Sequence, residues 1–209
     1  MRLPPEPRSP WIAYEWRAKA RQALSSGFSD PLAHLLAATG LSPNQVTVAG
    51  GLLNLGAGLA ISRGYLTAGG VLVLAAGVLD LLDGALARVT GRKTKFGAVL
   101  DSTMDRLSEA AVLFGLLVLY TGLRSTPMVL LVYATLVGSV LVSYIRARAE
   151  GLGISCEVGV LTRAERTIIM ALGLLLGQVF PALLTMALLS YVTAGQRLMH
   201  VRRATRNES

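Results

Sequence analysis

Between residues 45 and 199 the chain alternates long apolar runs with short polar or glycine-containing breaks. The runs are Gln45 to Ile61, Tyr65 to Leu86, Gly97 to Leu123, Met128 to Arg148, Ala164 to Val179 and Pro181 to Met199. Several approach the roughly 20 apolar residues that cross a bilayer core. None has the strict apolar–polar alternation of a half-buried strand, and no clear internal repeat is present. The breaks carry turn chemistry: Ser62-Arg63-Gly64, the basic Arg88 to Lys95 stretch, Arg124-Ser125-Thr126-Pro127, and a glycine-rich loop from Glu150 to Thr162. The pattern predicts an all-α integral membrane protein with six transmembrane helices.

Ahead of the first run, Met1 to Pro10 reads as irregular, and its prolines and lack of an apolar core argue against a cleavable signal peptide. Trp11 to Leu24 mixes Trp11, Ile12, Trp16 and Leu24 with Arg17, Lys19 and Arg21. That is the pattern of an amphipathic helix lying in the membrane interface, although an ordinary surface helix is the competing reading. Asp30-Pro31 marks a short helix, with Asp as cap and Pro at the first helical position, ending near Gly40. The expected organisation is a juxtamembrane segment (1–40), a six-helix transmembrane domain (41–201) and a basic tail (202–209).

Composition agrees with the membrane reading. Of 209 residues, 53% are hydrophobic, and mean hydropathy is +0.55. A net charge of +8 could suggest nucleic acid. Here, however, the basic residues lie between apolar runs, as expected for the Lys and Arg excess of cytoplasmic loops. A basic surface also suits anionic lipids and phosphorylated substrates. One face collects the N-terminal segment, the Arg88 to Arg106 and Arg146 to Arg166 regions and the tail, whereas the other has only Arg63 and Arg124. Both termini are therefore expected on the cytoplasmic side. The single Cys156 excludes an intramolecular disulfide and a cysteine metal site. Gly173 and Gly177 form a small-xxx-small pair, which permits close helix approach within the chain or in a homodimer.

Four aspartates stand out at the cytoplasmic edge of the second and third runs. Asp80 and Asp83 are three residues apart, and Asp101 and Asp105 four apart, so each pair shares a helix face. Folding the two helices together across the intervening loop opposes the pairs. Converging carboxylates suit one or two Mg²⁺ ions with positions open to phosphate oxygens, which supports displacement at phosphorus. The competing reading is a set of salt bridges to Arg88, Arg92, Lys93 and Arg106. An ion or proton carrier would place its acids near the midplane, often in inverted repeats. A non-catalytic scaffold would have no need of the four aspartates.

The run Asp-x2-Asp-Gly-x2-Ala-Arg-x8-Gly-x3-Asp-x3-Asp, from Asp80 to Asp105, resembles the signature of CDP-alcohol phosphotransferases at every fixed position. The resemblance implies transfer of a substituted phosphate from a CDP-alcohol to an acceptor hydroxyl, with release of CMP. It also implies a two-metal centre, with Mg²⁺ or Mn²⁺ on Asp80, Asp83, Asp101 and Asp105, and Asp105 as general base. By the same carry-over Gly84, Ala87, Arg88 and Thr94 meet the nucleotide and its diphosphate. Pro43, Asn44, Gln45 and Val46 contribute from the start of the first helix.

A second cluster bears on the acceptor. Ser143 to Glu150 closes the fourth run with Arg146 and Arg148, while Arg163 and Arg166 open the fifth and Arg197 lies near the end of the sixth. Arginine binds phosphate in two-pronged fashion, so these cations suggest a phosphorylated acceptor rather than choline, ethanolamine or serine. Some, Arg163 and Arg202 above all, read equally well as headgroup anchors. The Ser-Tyr-x-Arg-Ala-Arg-Ala-Glu run with the later Arg-Ala-Glu-Arg resembles phosphatidylinositol-phosphate synthases and their archaeal relatives. That implies inositol 1-phosphate held by Ser143, Arg146, Arg148, Arg166 and Arg197, with Arg202 and Arg203 as alternatives to Arg197. Glycerol 3-phosphate is the rival acceptor. The donor implied is CDP-diacylglycerol, or its isoprenoid-ether counterpart, entering from the membrane.

Overall fold

The computed structural model describes residues 29–206, all-helical apart from the connections. The expected interfacial helix, Trp11 to Leu24, lies outside the described residues. Seven helices follow in order: α1 (Asp30–Ala38), α2 (Pro43–Ser62), α3 (Leu66–Val89), α4 (Lys95–Gly122), α5 (Thr126–Gly151), α6 (Arg163–Leu175) and α7 (Val179–Ala204).

Local chemistry sets most of these boundaries. α2 starts with a capping box: Gln45 N donates to Ser42 Oγ at 3.3 Å, and Ser42 N donates to Gln45 Oε1 at 2.8 Å. Two orphan donors are thereby satisfied, and Pro43 fits the first helical position. Gly64, at φ +89°, turns the chain into α3. Thr94 caps α4 by accepting from Gly97 N at 2.9 Å. At α1 the cap position falls on Ser29 rather than Asp30, without a side-chain cap bond, so Pro31 is second in the helix. Its fixed φ still suits a first turn.

α2, α3, α5 and α7 are long and apolar enough to cross a membrane. The other two expected spans differ for separate reasons. α4 has 28 residues, about 42 Å, but its first half carries Asp101, Asp105, Arg106 and Glu109. α6 has only 13 residues, about 20 Å. It stops at Leu175 instead of Val179 because Gly177 takes a left-handed conformation and Gln178 N bonds back to Gly173 O at 2.8 Å. Gly177 is thus a turn residue, and the small-xxx-small pair does not lie on one helix. A side chain at Gly173 would meet Ala182 of α7, so that glycine serves contact within the chain.

α2 packs on α3 and α4, α3 on α6, α5 on α7, with α1 laid against α3. The main core joins Ile61, Leu113, Leu116, Val132, Leu174 and Leu183, at the end of the bundle away from the aspartates. α2 and α4 approach closely: a Cβ on Gly115 would strike the Gly58 carbonyl, and one on Gly58 the Ala111 carbonyl. Outside, Leu52, Leu55, Val71, Leu74, Phe114, Leu130, Tyr133 and Leu188 are exposed. Such a surface suits lipid and would be unusual in water.

Candidate active site

Because α3 ends and α4 begins around a short loop, their aspartates meet at one end of the bundle. Carboxylate oxygens of Asp80, Asp101 and Asp105 all lie within 4.8 Å of one another. Asp83 does not join this trio. It is 6% exposed, and its Oδ2 accepts from Thr47 Oγ1 of α2 at 2.6 Å. It still lines, with Asp80 and Asp105, an empty volume of ≈ 220 Å³. Two fully opposed pairs are thus not what the helices produce. Three acids converge, and the fourth is steered by a threonine.

The cation seated among them is Arg163, at the first turn of α6. Its Nη1 donates to Asp80 Oδ1 at 2.7 Å and stands 2.8 Å from Asp105 Oδ1. Arg106, by contrast, donates to Ser102 O in its own helix. Like charges at this separation repel unless a cation lies between them. The donor set is all oxygen, the ligand atoms converge, and a guanidinium already stands in as counter-charge. These features fit a hard divalent ion, with Asp80, Asp101 and Asp105 as the residues that would hold it.

Residues around the trio fall into distinct environments. Gly84 is half-buried; a Cβ there would find only Arg88 Nη1, 3.8 Å away, so backbone approach is open. Ala87 is half-buried, while Arg88 and Thr94 are exposed. A Cβ on Gly97 would lie 3.0 Å from Thr94 Oγ1 and 3.1 Å from Asn44 Oδ1, so Asn44 and Thr94 gather at the start of α4. Pro43 is buried, Gln45 is engaged in its capping box, and Val46 packs with Ala33, Ala85 and Leu86.

The arginines separate likewise. Arg166 is 2% exposed and grips Glu109 from Nε at 2.7 Å and Nη2 at 3.0 Å. Glu109 Oε2 also accepts from Ser139 Oγ at 2.5 Å. Arg197, 3% exposed, donates to backbone carbonyls: from Nε to Val158 O at 2.9 Å and from Nη1 to Val142 O at 2.5 Å. Arg146 pairs with Glu150 at 2.7 Å, Arg148 is exposed and Ser143 is half-buried. A second empty volume, ≈ 430 Å³, runs inward from Asp105 past Ser108, Glu109, Arg163 and Arg166.

Three functional neighbours escaped the sequence reading: Thr47, Glu109 and Arg163's contact with the trio. Glu109 was visible in principle, since Asp101, Asp105 and Glu109 recur every four residues along one face of α4. Thr47 lies four residues after Pro43, immediately beyond the stretch singled out.

Known proteins give the same picture. An archaetidylinositol phosphate synthase of Methanothermobacter thermautotrophicus is 40% identical over 185 residues, covering 83% of this chain and 88% of its own. The crystal structure of Mycobacterium tuberculosis phosphatidylinositol phosphate synthase with CDP-DAG bound superposes with a TM-score of 0.78 at 36% identity. It covers 84% of this chain and 94% of that one. The same enzyme in complex with manganese and citrate gives a TM-score of 0.76 at 37% identity, covering 83% and 88%. The profile of the CDP-alcohol phosphatidyltransferase family matches residues 40–195. The acidic cluster, the long apolar helices and this match over most of the chain lead to one conclusion: the protein is a multi-pass membrane enzyme belonging to the CDP-alcohol phosphatidyltransferase family.

Proposed function

We propose that this enzyme transfers the phosphatidyl group of CDP-diacylglycerol to inositol 1-phosphate, forming phosphatidylinositol phosphate and CMP. The observation that carries the reading is the convergence of Asp80, Asp101 and Asp105 beside a cavity that Arg163 and Arg166 also line. The relatives that bear synthase names of this kind support the choice of acceptor.

A divalent ion, Mg²⁺ or Mn²⁺, bound by the aspartates would neutralise phosphate charge, and a pair of ions is the expected complement. The protein's own groups do the rest. Asp105 takes the proton of the acceptor hydroxyl, whose oxygen then forms a bond to the phosphorus carrying the diacylglycerol. The bond from that phosphorus to CMP breaks, and CMP departs with the electron pair. Gly84, Ala87, Arg88 and Thr94 face the nucleotide, with Pro43, Asn44, Gln45 and Val46 at the adjoining start of α2. Val46 acts through packing, and Thr47 holds Asp83 in place.

For the acceptor phosphate, Ser143, Arg146, Arg148, Arg166 and Arg197 form the binding group. Arg197 supports this because its guanidinium donates to the carbonyls of Val158 and Val142 and forms no ion pair among the described residues. Arg166 uses Nε and Nη2 on Glu109, leaving Nη1. Glycerol 3-phosphate presents the same charge on a smaller body and is the rival acceptor; an archaetidyl donor is the rival lipid.

In this reading the six helices α2 to α7 form the membrane-embedded bundle, with residues 41–201 as the catalytic domain. Both the 1–40 segment and the 202–209 tail face the cytoplasm, the lipids supply the donor laterally, and two copies pair as a homodimer. The deciding experiment supplies CDP-diacylglycerol with inositol 1-phosphate, glycerol 3-phosphate, inositol or serine separately and follows CMP. Release with inositol 1-phosphate at least roughly tenfold above the others is expected, the low end of what a difference in substrate size alone gives. Faster release with glycerol 3-phosphate would overturn the acceptor assignment.

A further inference from the structure

The geometry assigns Arg163 a role as the built-in counterion of the metal-free site, one that a divalent cation must displace in order to bind. This rests on the reading of the aspartates as a metal site. One nitrogen, Nη1, faces both Asp80 Oδ1 and Asp105 Oδ1, at 2.7 Å and 2.8 Å. It stands between two of the three carboxylates that would hold a Mg²⁺ ion, at a distance of about 2.0–2.1 Å from its ligand oxygens. Two cations cannot share that gap, so binding of the ion and the Arg163 bridge exclude each other.

The chain around Arg163 is built for a side-chain swing over a fixed backbone. Thr162 and Glu165 form a capping box, with Thr162 N donating to Glu165 Oε2 at 2.7 Å and the Thr162 hydroxyl also bonded to that carboxylate. Arg163 O accepts from Thr167 Oγ1 at 3.2 Å. The backbone at the head of α6 is thereby held, whereas the guanidinium sits at the end of a long flexible stem. The Arg163 side chain is 30% exposed and borders both empty volumes, so it has somewhere to go. Without a metal ion, Arg163 holds α6 to α3 and α4 and prevents the trio from repelling itself apart. Once displaced, the guanidinium stands at the boundary between the aspartates and the arginine cluster, free to meet a phosphate.

The test uses the full chain in detergent, stripped of metal. Mn²⁺ affinity is read from the free-ion paramagnetic resonance signal for wild type, Arg163→Gln and Arg106→Gln. Both variants lose one positive charge near the trio, but only Arg163 bridges it. In parallel, phenylglyoxal labelling of Arg163 in the wild type is followed by mass spectrometry with and without Mn²⁺. Expected are an affinity on the order of tenfold tighter in Arg163→Gln, a much smaller change in Arg106→Gln, and Arg163 labelling that rises on adding Mn²⁺. Equal tightening in the two variants would mean bulk electrostatics and overturn the competition. So would an unchanged Arg163→Gln affinity, or labelling indifferent to Mn²⁺. If Arg163→Gln fails to fold, the labelling of the wild type decides. A wild type that binds no Mn²⁺ would sink the metal reading itself, and is thereby distinguished from failure of the Arg163 inference alone.

Discussion

At Asp105 the two proposed roles, metal ligand and general base, meet. Its carboxylate belongs to the trio that would bind the ion, yet it also borders the inner cavity, where an acceptor hydroxyl could reach it. Of the converging acids, it alone opens to both volumes. Asp105→Asn keeps the shape and a hydrogen-bonding oxygen but removes the base and one negative charge. Turnover should fall by about a thousandfold, while the elution profile and thermal transition in detergent stay close to wild type. Near-normal CMP release from that variant would reject Asp105 as base. Asp83 differs in kind: the hydroxyl of Thr47 on α2 donates to its carboxylate and helps to orient it.

At the scale of elements, the site depends on how closely α2 and α4 approach. Gly58 and Gly115 place backbone against backbone, and at the acidic end of the same pair of helices Asn44 of α2 lies against Gly97 of α4. Gly115→Ala gains helix propensity of about 1 kcal/mol but pushes a methyl group into the Gly58 carbonyl. Overpacking of this kind costs about 1–3 kcal/mol, so the clash wins and the thermal midpoint drops. Gly122→Ala, on the same helix with nothing within 4 Å, is the control and should be neutral or slightly stabilising. Equal behaviour of the two variants, read by thermal unfolding in detergent, would argue against the close crossing. A second element-level device is the 152–162 connection, pinned to α7 where Leu161 N donates to Thr193 Oγ1 at 3.1 Å and Arg197 reaches Val158 O. That pinning keeps the arginine ends of α5 and α6 at fixed spacing.

For the whole molecule, the sequence carries the skeleton well. The apolar runs locate each helix to within a few residues, and Ser42 with Gln45 explains why α2 starts two residues before its run. The spacing of the four aspartates puts them at the junction of α3 and α4, where three of them converge. Two kinds of feature were not legible. The length of α6 depends on a left-handed Gly177, which hydropathy does not register. The partners of the aspartates depend on tertiary neighbours: Thr47 is 36 residues from Asp83, and Arg163 is 83 residues from Asp80. Local pattern cannot select one arginine from the several at the helix ends. Packing does, by laying the head of α6 against α3.

The central claim is that acids from two adjoining helices hold the divalent ion on which CDP-alcohol chemistry depends. The most direct measurement is CMP release from CDP-diacylglycerol and inositol 1-phosphate by protein stripped with EDTA and then titrated with Mg²⁺ or Mn²⁺. The account predicts no release above background without metal and full recovery on adding either ion. CMP release at an undiminished rate in excess EDTA would contradict it.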